Sequence, residues 1–196
     1  MVADRLTKYP LAVSPAWGAG RDHRCVGVEN LKRLRLNTEA DAGTVLEELR
    51  PLAGLMVSVH APLWAGDVRL NIGAKDVEFR DMSIGKILTH MDTARQFFPE
   101  LRKVNMHSGP KQWFNEAQER GRTGDYGIMI DSIKRIADHA ERLGLEIVLE
   151  NNSLSFEGVG DDVSPDEIDW SNRNLSFGVS PEEWIQICLD VDRPNL

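Results

Sequence analysis

The alternation of short apolar runs with longer segments of helical period is the feature of this sequence that most constrains its fold. The short runs lie at residues 11–14, 34–37, 55–60, 103–107 and 145–151. Each run is too short for a helix and has the length of a strand. Strands that alternate with helices are typical of a parallel sheet with right-handed crossovers. The sequence therefore predicts an α/β fold with five parallel strands.

Apolar side chains at helical spacing predict the helices between these strands. One stripe runs over residues 84–98 and a second over residues 126–140, and Gly144 is expected to end the second helix. A shorter stripe at residues 45–52 predicts another helix before the third strand. Long helical segments thus connect the later strands, as a parallel sheet requires.

The segment at residues 180–196 has the spacing of either a strand or a helix. Ser180, Pro181 and Glu183 match an N-cap, a proline at the first helical position and the reciprocal glutamate of a capping box. We therefore predict a helix that ends near Pro194. If the segment were a strand, Asp190 would lie at its end, where it could be a ligand. On the predicted helix, Asp190 is instead expected to be a surface carboxylate.

Composition excludes several classes of protein. The chain has 196 residues with 23 basic and 31 acidic side chains, and its net charge of −8 disfavours broad nucleic-acid binding. Its apolar runs are too short for a membrane helix or a signal peptide, so we expect a cytoplasmic protein. Cys25 and Cys188 lack C-x-x-C spacing, which argues against a disulfide framework and a cysteine zinc site.

Three of the predicted strands end in a side chain that can carry chemistry. Because the apolar residues of each strand alternate, His60, His107 and Glu150 share the face turned away from the helices. In a closed parallel barrel, the C-terminal strand ends on this face form the mouth of the interior. Two imidazoles and a carboxylate suit a divalent metal ion such as zinc or manganese. The alternative is that each is a polar residue that caps its strand.

Loop residues near these strand ends are candidates for a substrate pocket. Trp64 and Trp113 could form apolar walls against a sugar ring, while Lys111 and Asn151 could supply hydrogen bonds. The tryptophans could instead only cover the rim of the core. The polar stretch at residues 153–179 predicts a long loop, of the kind that often forms a lid or a binding surface.

The strand ends also carry a family resemblance. The motifs V-S-V-H-A-P at 57–62, N-M-H-S-G-P at 105–110 and V-L-E-N-N at 148–152 occur in this order. They resemble the xylose isomerase-like TIM barrel superfamily, which includes sugar isomerases and epimerases and AP endonucleases of the endonuclease IV type. The resemblance implies a (β/α)8 TIM-barrel fold. It also places Asn71, within R-L-N-I-G, near the substrate.

The resemblance further implies roles for the strand-end residues. His60, His107 and Glu150 would hold a divalent ion, which could be Mn, Zn, Mg or Co. Of the three residues, Glu150 is the one to which the family's role as a metal ligand carries over best. Its carboxylate would also lie near the substrate carbon whose proton is moved.

The resemblance covers only part of the family's barrel. The family's ligands from its sixth, seventh and eighth strands have no counterpart here, and D-R-P-N-L at residues 192–196 resembles the approach to the sixth strand. We therefore expect residues 1–196 to form a single TIM-barrel domain that is incomplete at its C-terminus and holds the first five βα units. A second copy of the chain or a partner chain is expected to cover the open sheet edges.

These observations lead to one preferred function and two alternatives. The preferred function is a metal-dependent isomerase or epimerase that acts on a sugar, a sugar phosphate or a polyol by proton transfer next to a carbonyl. One alternative is a DNA repair phosphodiesterase similar to AP endonucleases, which the acidic balance disfavours. The other is a non-catalytic or incomplete subunit that a partner chain completes.

Overall fold

The computed structural model describes residues 34–37, 56–113, 119–152, 155–156 and 173–196. In chain order its elements are β1 (Leu34–Asn37), β2 (Met56–His60), β3 (Trp64–Ala65), β4 (Val68–Arg69), α1 (Val77–Phe97), β5 (Lys103–His107), β6 (Pro110–Gln112), α2 (Tyr126–Arg142), β7 (Glu146–Glu150), β8 (Ser155–Phe156), β9 (Arg173–Ser176) and α3 (Pro181–Val191). The described part is therefore a mixed α/β structure.

A four-stranded parallel sheet in the order β1-β2-β5-β7 forms its centre. The register places His60 opposite Asn105 and His107 opposite Glu150, so β5 and β7 end at one level and β2 ends opposite a position two residues before the end of β5. Four of the five predicted strands are confirmed. The predicted strand at 11–14 and the predicted helix at 45–52 lie outside the described residues, and the count of five βα units stays a prediction.

The helices α1 and α2 begin at aspartate caps and pack on the sheet. Asp76 accepts a hydrogen bond from the Phe79 N–H, and Asp125 accepts one from the Ile128 N–H. Gly144 follows α2 with a φ of +68°, a conformation that ends a helix and suits glycine, as predicted. The core between sheet and helices buries Val59, Ile84, Ile87, Met91, Phe98, Val104, Met106, Ile133, Ile136, Ala137, Ile147 and Leu149.

The helix α3 confirms the prediction for the C-terminal segment, apart from one detail of its cap. The Ser180 side chain accepts a hydrogen bond from the Glu183 N–H, as an N-cap does. The prediction of the reciprocal capping-box bond, from the Ser180 N–H to the Glu183 carboxylate, is wrong. This carboxylate accepts instead from the Gly178 N–H at 3.0 Å. Its other oxygen lies 2.5 Å from the Lys111 ammonium, which draws the carboxylate toward the loop before the helix. Asp190 lies on α3 and accepts a hydrogen bond from the Tyr126 hydroxyl.

The segment predicted as one long loop contains strands. β9 pairs antiparallel with both β6 and β8, so residues 173–176 belong to a small sheet instead of an irregular loop. Side chains fasten this segment to the main sheet. The Ser108 hydroxyl and the Asn152 amide both donate to the Phe177 carbonyl, at 2.7 Å each, and the Phe177 N–H donates to the Gly109 carbonyl. The loops after β5 and β7 are thereby joined to residues 176–178.

The outer edge of β7 is partly closed by the C-terminal segment. The Ile147 N–H donates to the Asn195 carbonyl at 2.7 Å, and the Trp184 indole donates to the Leu149 carbonyl at 3.0 Å. Within the described ranges, β1 and β7 are the outermost strands of the parallel sheet. The same ranges contain no helix that combines the length and the apolar character needed to cross a membrane.

Candidate metal centre

His60, His107 and Glu150 lie together at the C-terminal ends of β2, β5 and β7. Their possible ligand atoms all lie within 4.8 Å of one another. The Oε2 atom of Glu150 is 3.6 Å from Nε2 of His60 and 3.7 Å from Nε2 of His107. The two imidazole centroids are 5.1 Å apart. The structure thus brings together the three side chains that the strand pattern singled out.

The backbone and a neighbouring amide orient two of these side chains. Nδ1 of the buried His60 lies 2.6 Å from the Ala61 carbonyl oxygen. Because a carbonyl oxygen only accepts, this contact requires the proton on Nδ1 and leaves the lone pair on Nε2. The Asn105 amide donates to Oε1 of Glu150 at 2.5 Å. The other carboxylate oxygen of Glu150 is therefore the one nearest both imidazoles.

The surroundings of His107 favour its neutral form. Burial lowers the pKa of His107, and the nearby His60 and Arg69 lower it further, against an opposing effect of Glu150. A neutral imidazole is the form that binds a metal ion. Nδ1 of His107 is buried and has no hydrogen-bond partner among the described residues.

The donor set fits a divalent cation. It consists of two imidazoles and one carboxylate, the residue types that bind zinc and manganese. Ligands around a tetrahedral zinc ion at about 2.1 Å lie about 3.4 Å from one another. The separations of 3.6 and 3.7 Å between the Glu150 oxygen and the two imidazole nitrogens are close to that value.

Two neighbours of the cluster were not among the predicted site residues. Asn105 shares the alternating face of His107 in β5, so the period-two pattern is the signal that could have identified it. His90 lies on α1, as expected from its helical stripe, and it interacts electrostatically with His60. Burial lowers the pKa of His90 to about 4, with a smaller contribution from His60. The spacing of residues in the sequence does not show which helix position lies near which strand end, so it gave no signal that His90 lies near His60.

The predicted substrate residues have different surroundings. Trp64 and Trp113 lie edge to face with centroids 5.8 Å apart, and Trp113 is buried. Lys111 is held by Glu183 and lies over the Phe177 ring. Asn151 is exposed next to Glu150. Their roles as substrate contacts stay predictions.

Asn71 is fully buried, and its described contacts are structural. Its amide donates to the Gly121 carbonyl and its side-chain oxygen accepts from the Gly73 N–H. Its own backbone N–H donates to the Ser83 hydroxyl. These bonds connect the turn after β4 to residues 119–124 and to α1. A contact between Asn71 and a substrate stays a prediction.

Among the comparisons with known proteins, only the comparison with solved structures found similar proteins. Neither models of protein families nor curated protein sequences match the chain. A D-tagatose 3-epimerase-like protein is similar with a TM-score of 0.62 and 21% identity, over 94% of this chain and 62% of its own. An AP endonuclease of family 2 from Brucella melitensis has a TM-score of 0.54 and 16% identity, over 84% of this chain and 55% of its own.

A third similar structure is that of the IolI protein with a bound zinc atom. Its TM-score is 0.55 at 16% identity, over 86% of this chain and 52% of its own. The chain therefore spans between about half and 62% of the length of these three proteins. At these identities the similarity shows a fold in common with these proteins, and membership of the xylose isomerase-like superfamily stays a prediction.

Proposed function

We propose that this chain provides the metal-binding part of an isomerase or epimerase that acts on a sugar, a sugar phosphate or a polyol. The observation that carries the proposal is the convergence of His60, His107 and Glu150 at adjacent strand ends. The similarity in fold to a D-tagatose 3-epimerase-like protein supports it. In this proposal residues 1–196 form one domain, equivalent to the first five βα units of a barrel.

The mechanism begins with three ligands. His60, His107 and Glu150 would hold a divalent ion, which could be Mn, Zn, Mg or Co. When bound, such an ion supplies positive charge that stabilises a negatively charged oxygen while a proton leaves the adjacent carbon. The Ala61 carbonyl keeps the His60 ring in one tautomer, so its Nε2 lone pair is ready to bind.

Glu150 has the second role of moving the proton. The hydrogen bond from Asn105 to Oε1 fixes the position of the Glu150 carboxyl group, and a carboxylate can serve as a general base. Glu150 would therefore both help to hold the ion and accept the proton from the substrate. Trp64 and Trp113 would pack against the apolar face of the sugar, and Asn151 would donate hydrogen bonds to its hydroxyls.

Metal titration and a proton-exchange assay test this function together. We expect calorimetry to detect binding of Zn²⁺ or Mn²⁺ to the full chain, and the Glu150→Gln and His107→Ala variants to lose it. We also expect deuterium from D₂O to enter D-tagatose or D-fructose next to the carbonyl, and Glu150→Gln to abolish this exchange. Glu146→Gln is the matched control, since Glu146 is exposed on the same strand. Metal binding that survives both ligand substitutions would overturn the proposal.

DNA repair is the second candidate function, because the AP endonuclease from Brucella melitensis is similar in fold. A metal centre of this composition would also serve phosphodiester hydrolysis. Incubation with a duplex that carries one abasic site separates the two functions. Cleavage of this duplex without proton exchange on the sugars would favour the endonuclease.

We also propose that a second copy of the chain packs on α3 beside β7. A groove of about 600 Å³ lies there, lined by Val148, Leu149, Trp184, Ile185, Cys188 and Leu189 among others. Ile185 and Leu189 are 52% and 66% exposed, an unusual exposure for two large apolar side chains that line the same groove. Because Asn195 and Trp184 already bond to the β7 edge, the copies would meet through α3 side chains instead of by strand pairing.

Analytical ultracentrifugation tests this interface. We expect a dimer for the wild-type chain and a monomer for Leu189→Lys. Gln186→Lys is the matched control, since Gln186 is also exposed on α3. A monomeric wild-type chain at tens of micromolar would rule the interface out.

A further inference from the structure

Two of the three candidate metal ligands have a partner that holds the atom turned away from the cluster. Nδ1 of His60 lies 2.6 Å from the Ala61 carbonyl oxygen, and Oε1 of Glu150 accepts a hydrogen bond from the Asn105 amide. Outer partners of this kind fix the orientation and the tautomer of a ligand, and they are a regular part of metal centres in proteins. The same need exists for His107.

The outer nitrogen of His107 differs from those two atoms. Nε2 lies 3.7 Å from Oε2 of Glu150, so Nε2 is the ring nitrogen that faces the cluster. Nδ1 is buried, and none of the described residues forms a hydrogen bond with it. In a neutral imidazole that binds a metal ion through Nε2, the proton is on Nδ1. A buried N–H without an acceptor costs about 1–3 kcal/mol, so an acceptor at this place would stabilise the ligand.

A small cavity adjoins His107. Its volume is about 20 Å³, which exceeds the roughly 10–15 Å³ that one water molecule requires and is too small for a sugar. Its wall includes Ala61 and Ile87 and has polar as well as apolar atoms, as a water site requires. Neither His60 nor Glu150 belongs to the part of the wall that the structure describes. The cavity therefore lies on a different side of the His107 ring from the ligand cluster.

The buried Nδ1 atom and the cavity of one-water size occur at the same residue. We propose that this cavity is a binding site for one water molecule, which accepts a hydrogen bond from Nδ1 of His107 and holds the Nε2 lone pair toward the metal position. The water would do for His107 what the Ala61 carbonyl does for His60. Its role in metal binding rests on the proposed function, whereas the water site itself does not.

Direct observation of the water in the metal-free full chain is the first test. In a high-resolution crystal structure we expect an ordered water molecule in the cavity, about 2.7–3.2 Å from Nδ1 of His107. In the two-bond ¹H–¹⁵N spectrum of the histidine rings we expect the proton of neutral His107 on Nδ1, and His107→Ala identifies its signals. A dry cavity, a protein acceptor bonded to Nδ1, or a proton on Nε2 would each overturn the inference.

Substitution of Ala61 tests whether the water positions His107. Ala61→Val adds methyl groups at the cavity wall, and we expect it to displace the water and to weaken Zn²⁺ binding about 10- to 100-fold. Ala61→Thr is the matched control, because threonine has the shape of valine but offers a hydroxyl oxygen that can accept from Nδ1. We expect Ala61→Thr to retain more of the Zn²⁺ affinity than Ala61→Val. Calorimetry measures the affinities, and circular dichroism checks that each variant is folded.

The outcomes for the water site and for the proposed function can be told apart. Equal Zn²⁺ affinities of Ala61→Val and Ala61→Thr, or an Ala61→Val variant that binds Zn²⁺ as tightly as the wild type, would overturn the positioning role. If the wild type binds no metal ion while the water and the Nδ1 proton are both found, the proposed function is wrong and the water site stands. If neither variant folds, the two observations on the wild type decide.

Discussion

The side-chain amide of Asn105 donates a hydrogen bond of 2.5 Å to Oε1 of Glu150, across the gap between β5 and β7. The two residues are 45 positions apart in the chain, and the parallel register of the strands brings them together. The bond uses one carboxylate oxygen and directs the other toward His60 and His107. Asn105 thereby orients a proposed metal ligand without being one itself.

Replacement of Asn105 by leucine tests this orientation. Loss of a partner that orients a metal ligand typically lowers metal affinity 10- to 100-fold, and we expect about this loss for Asn105→Leu. Leucine has a similar size, so the buried position stays filled. Isothermal titration with Zn²⁺ measures the effect. Asn151→Leu, at an exposed position, is the control, and equal affinities in both variants would contradict the role of Asn105.

The stability of the metal-free chain should fall on acidification because of His90. The pKa of His90 is about 4 in the folded state, and an unfolded histidine titrates near 6.5. Between these values the unfolded chain binds a proton that the folded chain does not. We expect the free energy of unfolding to fall from pH 7 to pH 4, with His90 contributing up to about 1.4 kcal/mol per pH unit.

Urea titrations at several pH values measure this dependence, and His90→Gln should reduce its slope. Some slope should remain, since the lowered pKa of His107 acts in the same direction. A slope that is the same in the wild type and in His90→Gln would show that His90 is not the responsible group.

Glu183 should stabilise the start of α3. Its carboxylate accepts from the Gly178 N–H and pairs with the Lys111 ammonium, and both side chains of the pair are partly exposed. We expect Glu183→Ala to lower the free energy of unfolding by about 1–2 kcal/mol. Urea denaturation is the measurement. Glu182→Ala, one residue earlier and fully outside this contact, should change the stability by less than about 0.5 kcal/mol.

Two glycines should respond in opposite directions to alanine. A Cβ atom at Gly124 would lie 2.2 Å from the Pro110 carbonyl oxygen, so we expect Gly124→Ala to destabilise the chain by about 1–3 kcal/mol. Gly85 lies within α1 with no atom within 4 Å of an added Cβ, so Gly85→Ala should stabilise it by about 0.5–1 kcal/mol. Thermal unfolding of both variants measures the difference. Destabilisation by Gly85→Ala would refute the packing argument.

Hydrophobic periodicity predicts the part of this fold that is regular. β7 alternates buried and more exposed positions, whereas Val104, Asn105 and Met106 of β5 are all buried. In both strands the period of two places the strand-end side chain, His107 or Glu150, on the face that the sequence predicts. Capping residues predict α3, since Ser180 and Pro181 act locally. These features depend on neighbours in the sequence, and for that reason they can be read from it.

The irregular parts depend on distant partners. β9 contains a single apolar residue, Leu175, and becomes a strand because β6 offers it a backbone edge. Glu183 leaves its expected cap because Lys111, far away in the chain, attracts it. The position of Arg69 between Trp64 and Trp113 likewise depends on two loops that meet only in the folded molecule. The pattern of residues along the sequence gives no signal for such contacts between distant segments.

The bonds from Ser108 and Asn152 to Phe177 have a consequence for the order of folding. The Ser108 bond spans 69 residues, so closing this loop costs chain entropy. The local contacts that form early in folding do not offset that cost. The loops after His107 and Glu150 therefore adopt their final positions only after residues 176–178 have packed against them. Zn²⁺ added during refolding should therefore bind tightly in a late kinetic phase, after the helices have formed.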